Sequence, residues 1–73
     1  MKRQAKSEKA QDTKKAILEA TAHILMKNGL DKVSTNSIAE KAGVSIGSLY
    51  QYYENKEDIF EDLLLQLIEK RQE

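Results

Sequence analysis

One start signal appears twice in close succession along this chain. At Val33-Ser34 and again at Val44-Ser45 an apolar residue precedes a serine, and four positions past each serine stands a second apolar residue, Ile38 and then Leu49. A serine hydroxyl can accept a bond from the unpartnered N–H groups of a helix's first turn, and the apolar pair staples the entering chain to the helix. Two helices must therefore start close together, and the first must stop before the second begins. Ala42-Gly43 supplies that stop, because glycine enters the left-handed conformation that ends a helix. Two short helices joined by about three residues at a glycine form a helix-turn-helix. Ala39, four residues before Gly43, is small enough to let the two helices approach closely.

The flanks read as helices too. The chain has 73 residues, no proline and three widely spaced glycines, a composition that favours helices joined by tight turns. Ile17, Leu18, Thr21, Ile24 and Leu25 recur at helical spacing, which predicts helix 1 over about Thr13 to Lys27, capped by Asp12 or Thr13 and closed by Asn28-Gly29. Helix 2 starts near Thr35 with Ser34 as cap. Helix 3 has Ser45 as cap and runs to Tyr52 or Tyr53. Helix 4 opens at Asn55, with Glu57 and Asp58 suited to the positive end of its dipole. Its Ile59, Phe60, Leu63, Leu64, Leu67 and Ile68 cover about half of the helix surface, with Leu65 off that stripe. So small a bundle cannot bury so much, and part of helix 4 is expected to pack on something else. Residues 1–11, MKRQAKSEKAQ, lack an apolar face and read as a flexible basic arm, the alternative being a frayed start to helix 1. The expected class is an all-α, compact four-helix bundle containing a helix-turn-helix.

Several functions are disfavoured. Without cysteine there is neither a disulfide framework nor a thiolate metal site. The single histidine, His23, lies off the apolar stripe and reads as a surface residue. Glu57, Asp58, Glu61 and Asp62 lack the alternating oxygen ligands of a calcium loop and read as a solvated face. No nucleophile–base pair or phosphate loop points to an enzyme, so neither a catalytic activity nor a cofactor is expected. No apolar run approaches the roughly 20 residues of a membrane span, and the polar N-terminus has no secretory character. A cytoplasmic setting follows.

Net charge is zero, but its distribution is uneven. Residues 1–53 hold nine basic and five acidic side chains, whereas residues 54–73 hold three basic and seven acidic ones. The first part can face a polyanion and helix 4 cannot. Helix 3 carries the chemistry for that polyanion to be DNA. Ser45, Gly47 and Ser48 are small, so the backbone and its free N–H groups can come close to phosphate and base edges. Tyr50, Gln51 and Tyr52 are long with hydrogen-bonding tips. Glutamine can form two hydrogen bonds to adenine, and tyrosine hydroxyls reach phosphates. Leu49 and Tyr53 are expected to face inward, Tyr50 and Tyr52 outward, and Lys56 to meet a phosphate.

The stretch TNSIAEKAGVSIGSLYQYYENKEDIF resembles the DNA-binding domain of TetR-type transcriptional regulators, a likeness extending over roughly residues 12–68. It rests on the Thr before helix 2, Ile-Ala, Ala-Gly-Val-Ser, Gly-x-Leu-Tyr, an aromatic pair, and Asn-Lys-Glu leading into helix 4. The resemblance implies a homeodomain-like bundle with helix 3 in the major groove, acting as the operator-reading domain of a repressor. It implies phosphate or base contacts for Thr35 and Asn36, a leading turn of the recognition helix at Ser45, Ile46, Gly47 and Ser48, base or backbone contacts for Tyr50, Gln51 and Tyr52, and a phosphate contact for Lys56. Tyr53 stands where most members have phenylalanine, so its hydroxyl needs a partner. Lys2, Arg3, Lys6 and Lys9 read either as a solubilising tail or as an arm along the minor groove, as in some members of the family. The partner would be double-stranded DNA, a palindromic operator half-site, with homodimers only in the intact protein. Residues 12–73 would be the DNA-binding domain with the start of a long fourth helix, and the ligand-binding and dimerisation domain would be absent from this chain. The competing reading is a protein-interaction module that uses the apolar face of helix 4.

Overall fold

The computed structural model describes the backbone of residues 2–71 and the side chains of residues 10–69. Four helices follow in order: α1 (Lys2–Asn28), α2 (Thr35–Ala42), α3 (Ile46–Tyr52) and α4 (Lys56–Arg71), with a single 3-10 turn at Leu30–Lys32. Helix α1 packs against both α2 and α4, and α2 packs against α3. The described residues contain no strand. The all-α helix-turn-helix fold expected from the sequence is the one observed.

The boundaries follow the local chemistry. Ser34 caps α2, its hydroxyl accepting the Ser37 N–H at 3.1 Å, while Ser37 Oγ accepts the Ser34 N–H at 3.0 Å. This reciprocal pair is a capping box in which serine stands in for the usual glutamate. At the other end of α2, Gly43 adopts φ 77°, ψ 29°. The Val44 N–H reaches the Ala39 carbonyl and the Gly43 N–H reaches that of Glu40, a Schellman closure that turns the chain into α3. Ser45 Oγ accepts the Ser48 N–H at 3.0 Å, and Asn55 Oδ1 accepts the Asp58 N–H at 2.8 Å, so the predicted caps of α3 and α4 are in place.

One expected boundary differs. Helix α1 starts at Lys2, not near Asp12 or Thr13. The segment read as a flexible arm forms the first turns of the helix on its backbone, and neither Asp12 nor Thr13 is a cap. Ala5, Ala10 and the Lys, Glu and Gln residues around them are strong helix formers, so helix can propagate backward from the packed part of α1 without an apolar face. The side chains of residues 2–9, including those proposed to reach a minor groove, lie outside the described ones.

The core draws on every helix. Ile17 of α1, Ile38 of α2, Leu49 of α3 and Ile59 of α4 are all fully buried, and Val33 and Tyr53 close the cluster. Burial of each large aliphatic side chain contributes about 1.5–3 kcal/mol. Thr21 is also fully buried, and its hydroxyl donates to the Ile17 carbonyl at 2.8 Å, so no polar atom is stranded. Helix α4 contributes little beyond Ile59. Phe60 and Leu63 are only partly buried, while Leu64, Leu65, Leu67 and Ile68 are 50–58% exposed.

The two α2–α3 glycines should respond to alanine with opposite signs. A Cβ on Gly43 would meet nothing within 4 Å, so Gly43→Ala reports the positive φ alone and should lower unfolding free energy by about 1–2 kcal/mol. Gly47 sits inside α3, where a Cβ would make one ordinary contact, 3.9 Å from Ser45 Oγ. Gly47→Ala should therefore raise stability by about 0.5–1 kcal/mol. Urea unfolding of both variants checks this, and equal effects would contradict the backbone assignment.

Candidate nucleic-acid interface

Helix α3 turns one side inward and leaves the rest outside. Leu49 is its fully buried residue, and Tyr53, its C-cap, is only 4% exposed. Around the rest of the helix Ile46, Gly47, Tyr50 and Gln51 are exposed, Tyr50 by 49%. Ile46, at the tip of the helix, lies outside the core cluster and is 38% exposed. Ser45 is exposed as well, and Ser48 is half-buried.

The start of α2 comes up beside this face. Asn36 is exposed and Thr35 half-buried, and Thr35 Oγ1 lies 2.9 Å from the Tyr50 hydroxyl. This bond ties the first residue of α2 to the outward face of α3. Nothing local in the sequence announces it, since the two residues belong to different helices. Lys56, half-buried, starts α4 just beyond the Asn55 cap.

Three expectations need correction here. Tyr52 does not project freely. It is half-buried, packs against the core, and shares a depression of about 240 Å³ with Lys14, Asp58, Glu61 and Leu65. The stagger of the helix carries it toward α4, away from Tyr50. The amides at the start of α3 are not all free either. The Ser48 N–H is taken by Ser45 Oγ, and the Leu49 N–H by the Ser45 carbonyl at 3.1 Å. Finally, the acidic set of α4 is not a uniform solvated face. Asp58 Oδ2 accepts the Glu54 N–H at 3.1 Å, and the half-buried Asp62 accepts a bond from Tyr53. Glu57 and Glu61 are exposed as expected, and no cluster of metal-binding side chains occurs among the described residues.

The Asp62 contact settles where the Tyr53 hydroxyl goes. That hydroxyl donates to Asp62 Oδ2 at 2.6 Å, and Lys14 Nζ lies 3.8 Å from the same oxygen and 5.6 Å from the centre of the Tyr53 ring. Helices α1 and α4 are thereby clasped to the end of α3. Burial pushes the Tyr53 phenol well above the ordinary tyrosine range, and the hydrogen bond to Asp62 and the charges of Asp62 and Asp58 push it further in the same direction.

A short helix held out from a four-helix unit by a capped, glycine-hinged turn, with its outward face exposed and its inward face locked, defines the DNA-binding domain of a helix-turn-helix regulator. Residues 17–63 match the family of bacterial regulatory proteins of TetR type. The match starts and ends at Ile17 and Leu63, the limits of the core-forming side chains. The chain belongs to the TetR family. It is 36% identical over 61 residues to the fatty acid metabolism regulator protein of Bacillus subtilis, covering 78% of this chain and 31% of that one. It is 40% identical over 50 residues to the transcriptional repressor KstR of Mycolicibacterium smegmatis, covering 68% and 24%. The crystal structure of a TetR-family regulator from Marinobacter aquaeolei superposes with a TM-score of 0.79 at 32% identity, over 82% of this chain and 31% of that one. The chain thus spans about a quarter to a third of the relatives it matches.

The clasp makes stability depend on alkali with a definite sign. Because the folded-state pKa of Tyr53 is raised, its contribution is fully present below the ordinary value of about 10 and is lost as pH rises toward the folded value. Alkaline titration should show one phenolate appearing together with loss of helical circular dichroism. Its appearance in a fully helical protein would place the hydroxyl in water. Asp62→Ala should lower stability by about 1–3 kcal/mol by stranding that hydroxyl, and Tyr53→Phe in the same background should recover part of the loss.

Proposed function

We propose that the chain is the operator-reading domain of a TetR-type transcriptional repressor, binding double-stranded DNA in a sequence-specific way with α3 in the major groove. The observation that carries this reading is the division of α3: Leu49 and Tyr53 hold it to the core while Ile46, Gly47, Tyr50 and Gln51 stand exposed beside Asn36. Gln51 suits the edge of an adenine, and Ile46 suits the methyl group of a thymine. Thr35, Ser45, Ser48, Tyr50 and Lys56 suit phosphates, which set register without reading sequence. Tyr52 has the weakest claim of the expected contacts, since it faces the acidic side of α4. The role is one of binding and not of catalysis, in the cytoplasm. Among the described residues no helix is long and apolar enough to cross a membrane.

A second surface supports a second role. Leu64, Leu65, Leu67 and Ile68 leave one side of α4 apolar and uncovered. In a full-length regulator, a further domain that binds an effector and forms the homodimer would cover this face. Two copies would then place two α3 helices on a palindromic operator, each reading one half-site.

Selection from a random duplex pool at low salt, followed by a salt titration of the enriched duplex, tests the reading. Enrichment of a short half-site, bound more weakly as salt rises, is expected, because phosphate contacts release counterions. Lys56→Ala should weaken binding to all duplexes alike and flatten the salt slope by about one unit. If association of any kind survives high salt and Leu65→Glu abolishes it while no duplex is enriched, the chain acts through α4 instead.

A further inference from the structure

The Thr35 and Tyr50 hydroxyls, 2.9 Å apart, form the hydrogen bond that links α2 and α3 across the exposed side of the helix-turn-helix. Each hydroxyl carries one proton and two acceptor lone pairs. One of the two protons lies in the bond that joins them. The pair therefore has one O–H left for an outside acceptor, not two. Either hydroxyl could donate within the pair, but a phenol O–H is the better donor and the poorer acceptor of the two, which directs its proton to Thr35 Oγ1 and leaves the threonine proton to point away. A hydroxyl that already accepts a bond donates more strongly to the next acceptor. Tyr50 is held by its place on α3 and Thr35 by its place in the capped first turn of α2, so the free donor has a fixed direction at little cost in side-chain entropy.

We propose that Thr35 and Tyr50 act as a single donor site for one phosphate oxygen of a DNA duplex, with Thr35 donating and Tyr50 a positioning residue that orients and polarises it. This rests on the DNA-binding reading above. It differs from two independent phosphate contacts, which the two residues would make if their hydroxyls did not share a proton. The pair would also fix the register of α3, because a phosphate held jointly by α2 and α3 constrains both helices on the duplex.

Proton counting sets the test. Thr35→Val and Tyr50→Phe each leave one hydroxyl, and so one outward proton, while the double variant leaves none. On the duplex enriched by the wild-type chain, each single variant should weaken binding by at most about threefold, the lower end of the range for one neutral hydrogen bond, because an outward proton remains. The double variant should weaken it by about tenfold or more, beyond the product of the two singles, because a bond to a charged oxygen is lost outright. Thermal unfolding of all three should stay close to that of the wild type. A second measurement replaces the phosphates of the duplex one at a time with uncharged methylphosphonate. One position should weaken binding by the wild type and both single variants, and the same position should be silent for the double variant. A double variant equal to the product of the singles, or no weaker than either single, overturns the shared donor. So do two separate sensitive positions, one lost with each single variant. If the wild type binds no duplex, the DNA-binding reading fails and takes the pair with it; if the wild type binds and the double variant matches it, only the pair is overturned.

Discussion

Four aliphatic side chains meet where the four helices converge: Ile17, Ile38, Leu49 and Ile59, each without exposed surface. The rest of the structure depends on this junction, because two of the helices it joins cannot stand alone. Helices α2 and α3 have eight and seven residues, well short of the length at which a helix is stable in water. Their caps satisfy the first-turn amides, but packing of Ile38 and Leu49 supplies most of the favourable free energy. A helix held by one fully buried side chain has most of its circumference to spare. That is why α3 can present Ile46, Gly47, Tyr50 and Gln51 to solvent without loss of core.

Two polar contacts then orient what the core holds. At the C-terminal end of α3, Tyr53 donates to Asp62 beside Lys14, so the helix is clasped between α1 and α4. On its outward face, Tyr50 meets Thr35 of α2. The first contact is partly withdrawn from water, where a hydrogen bond to a carboxylate is strong and an unpaired hydroxyl costly. The second is exposed and contributes little to stability, which leaves it available to a ligand. Together they hold α3 at two points on different sides, a more defined pose than one aliphatic anchor provides.

Charge and apolar surface are divided along the chain in a way that matches this geometry. The excess of basic residues lies before Glu54 and the excess of acidic ones after it. Helix α4 adds one fully buried residue, Ile59, and exposes Leu64, Leu65, Leu67 and Ile68. The helix-turn-helix and the exposed part of α4 are therefore separate surfaces with different chemistry, one polar and the other apolar. The surplus of leucines was already legible in the sequence, since the apolar positions on α4 spread over more of the helix than one partner can cover.

Signals of short range were legible before any coordinates. The serine caps, the stop at Gly43 and the period of apolar residues act within a turn or two, and each helix boundary they mark is found except the start of α1. There the sequence has neither a cap nor an apolar face to show where helix begins, and propagation from the packed segment decides it. The sequence already turned Tyr53 inward and Tyr50 outward, but tertiary structure alone decided what each tyrosine meets and that Tyr52 is half-buried. Tyr50, Tyr52 and Tyr53 are near neighbours in sequence, yet one meets Thr35, one leans into the α4 side and one is buried against Asp62. Their fates follow from the angle at which α3 crosses its neighbours, and that angle is set by the joint packing of Ile17, Ile38, Leu49 and Ile59 from all four helices. No stretch of sequence contains that information, because no stretch contains more than one or two of the surfaces that must fit.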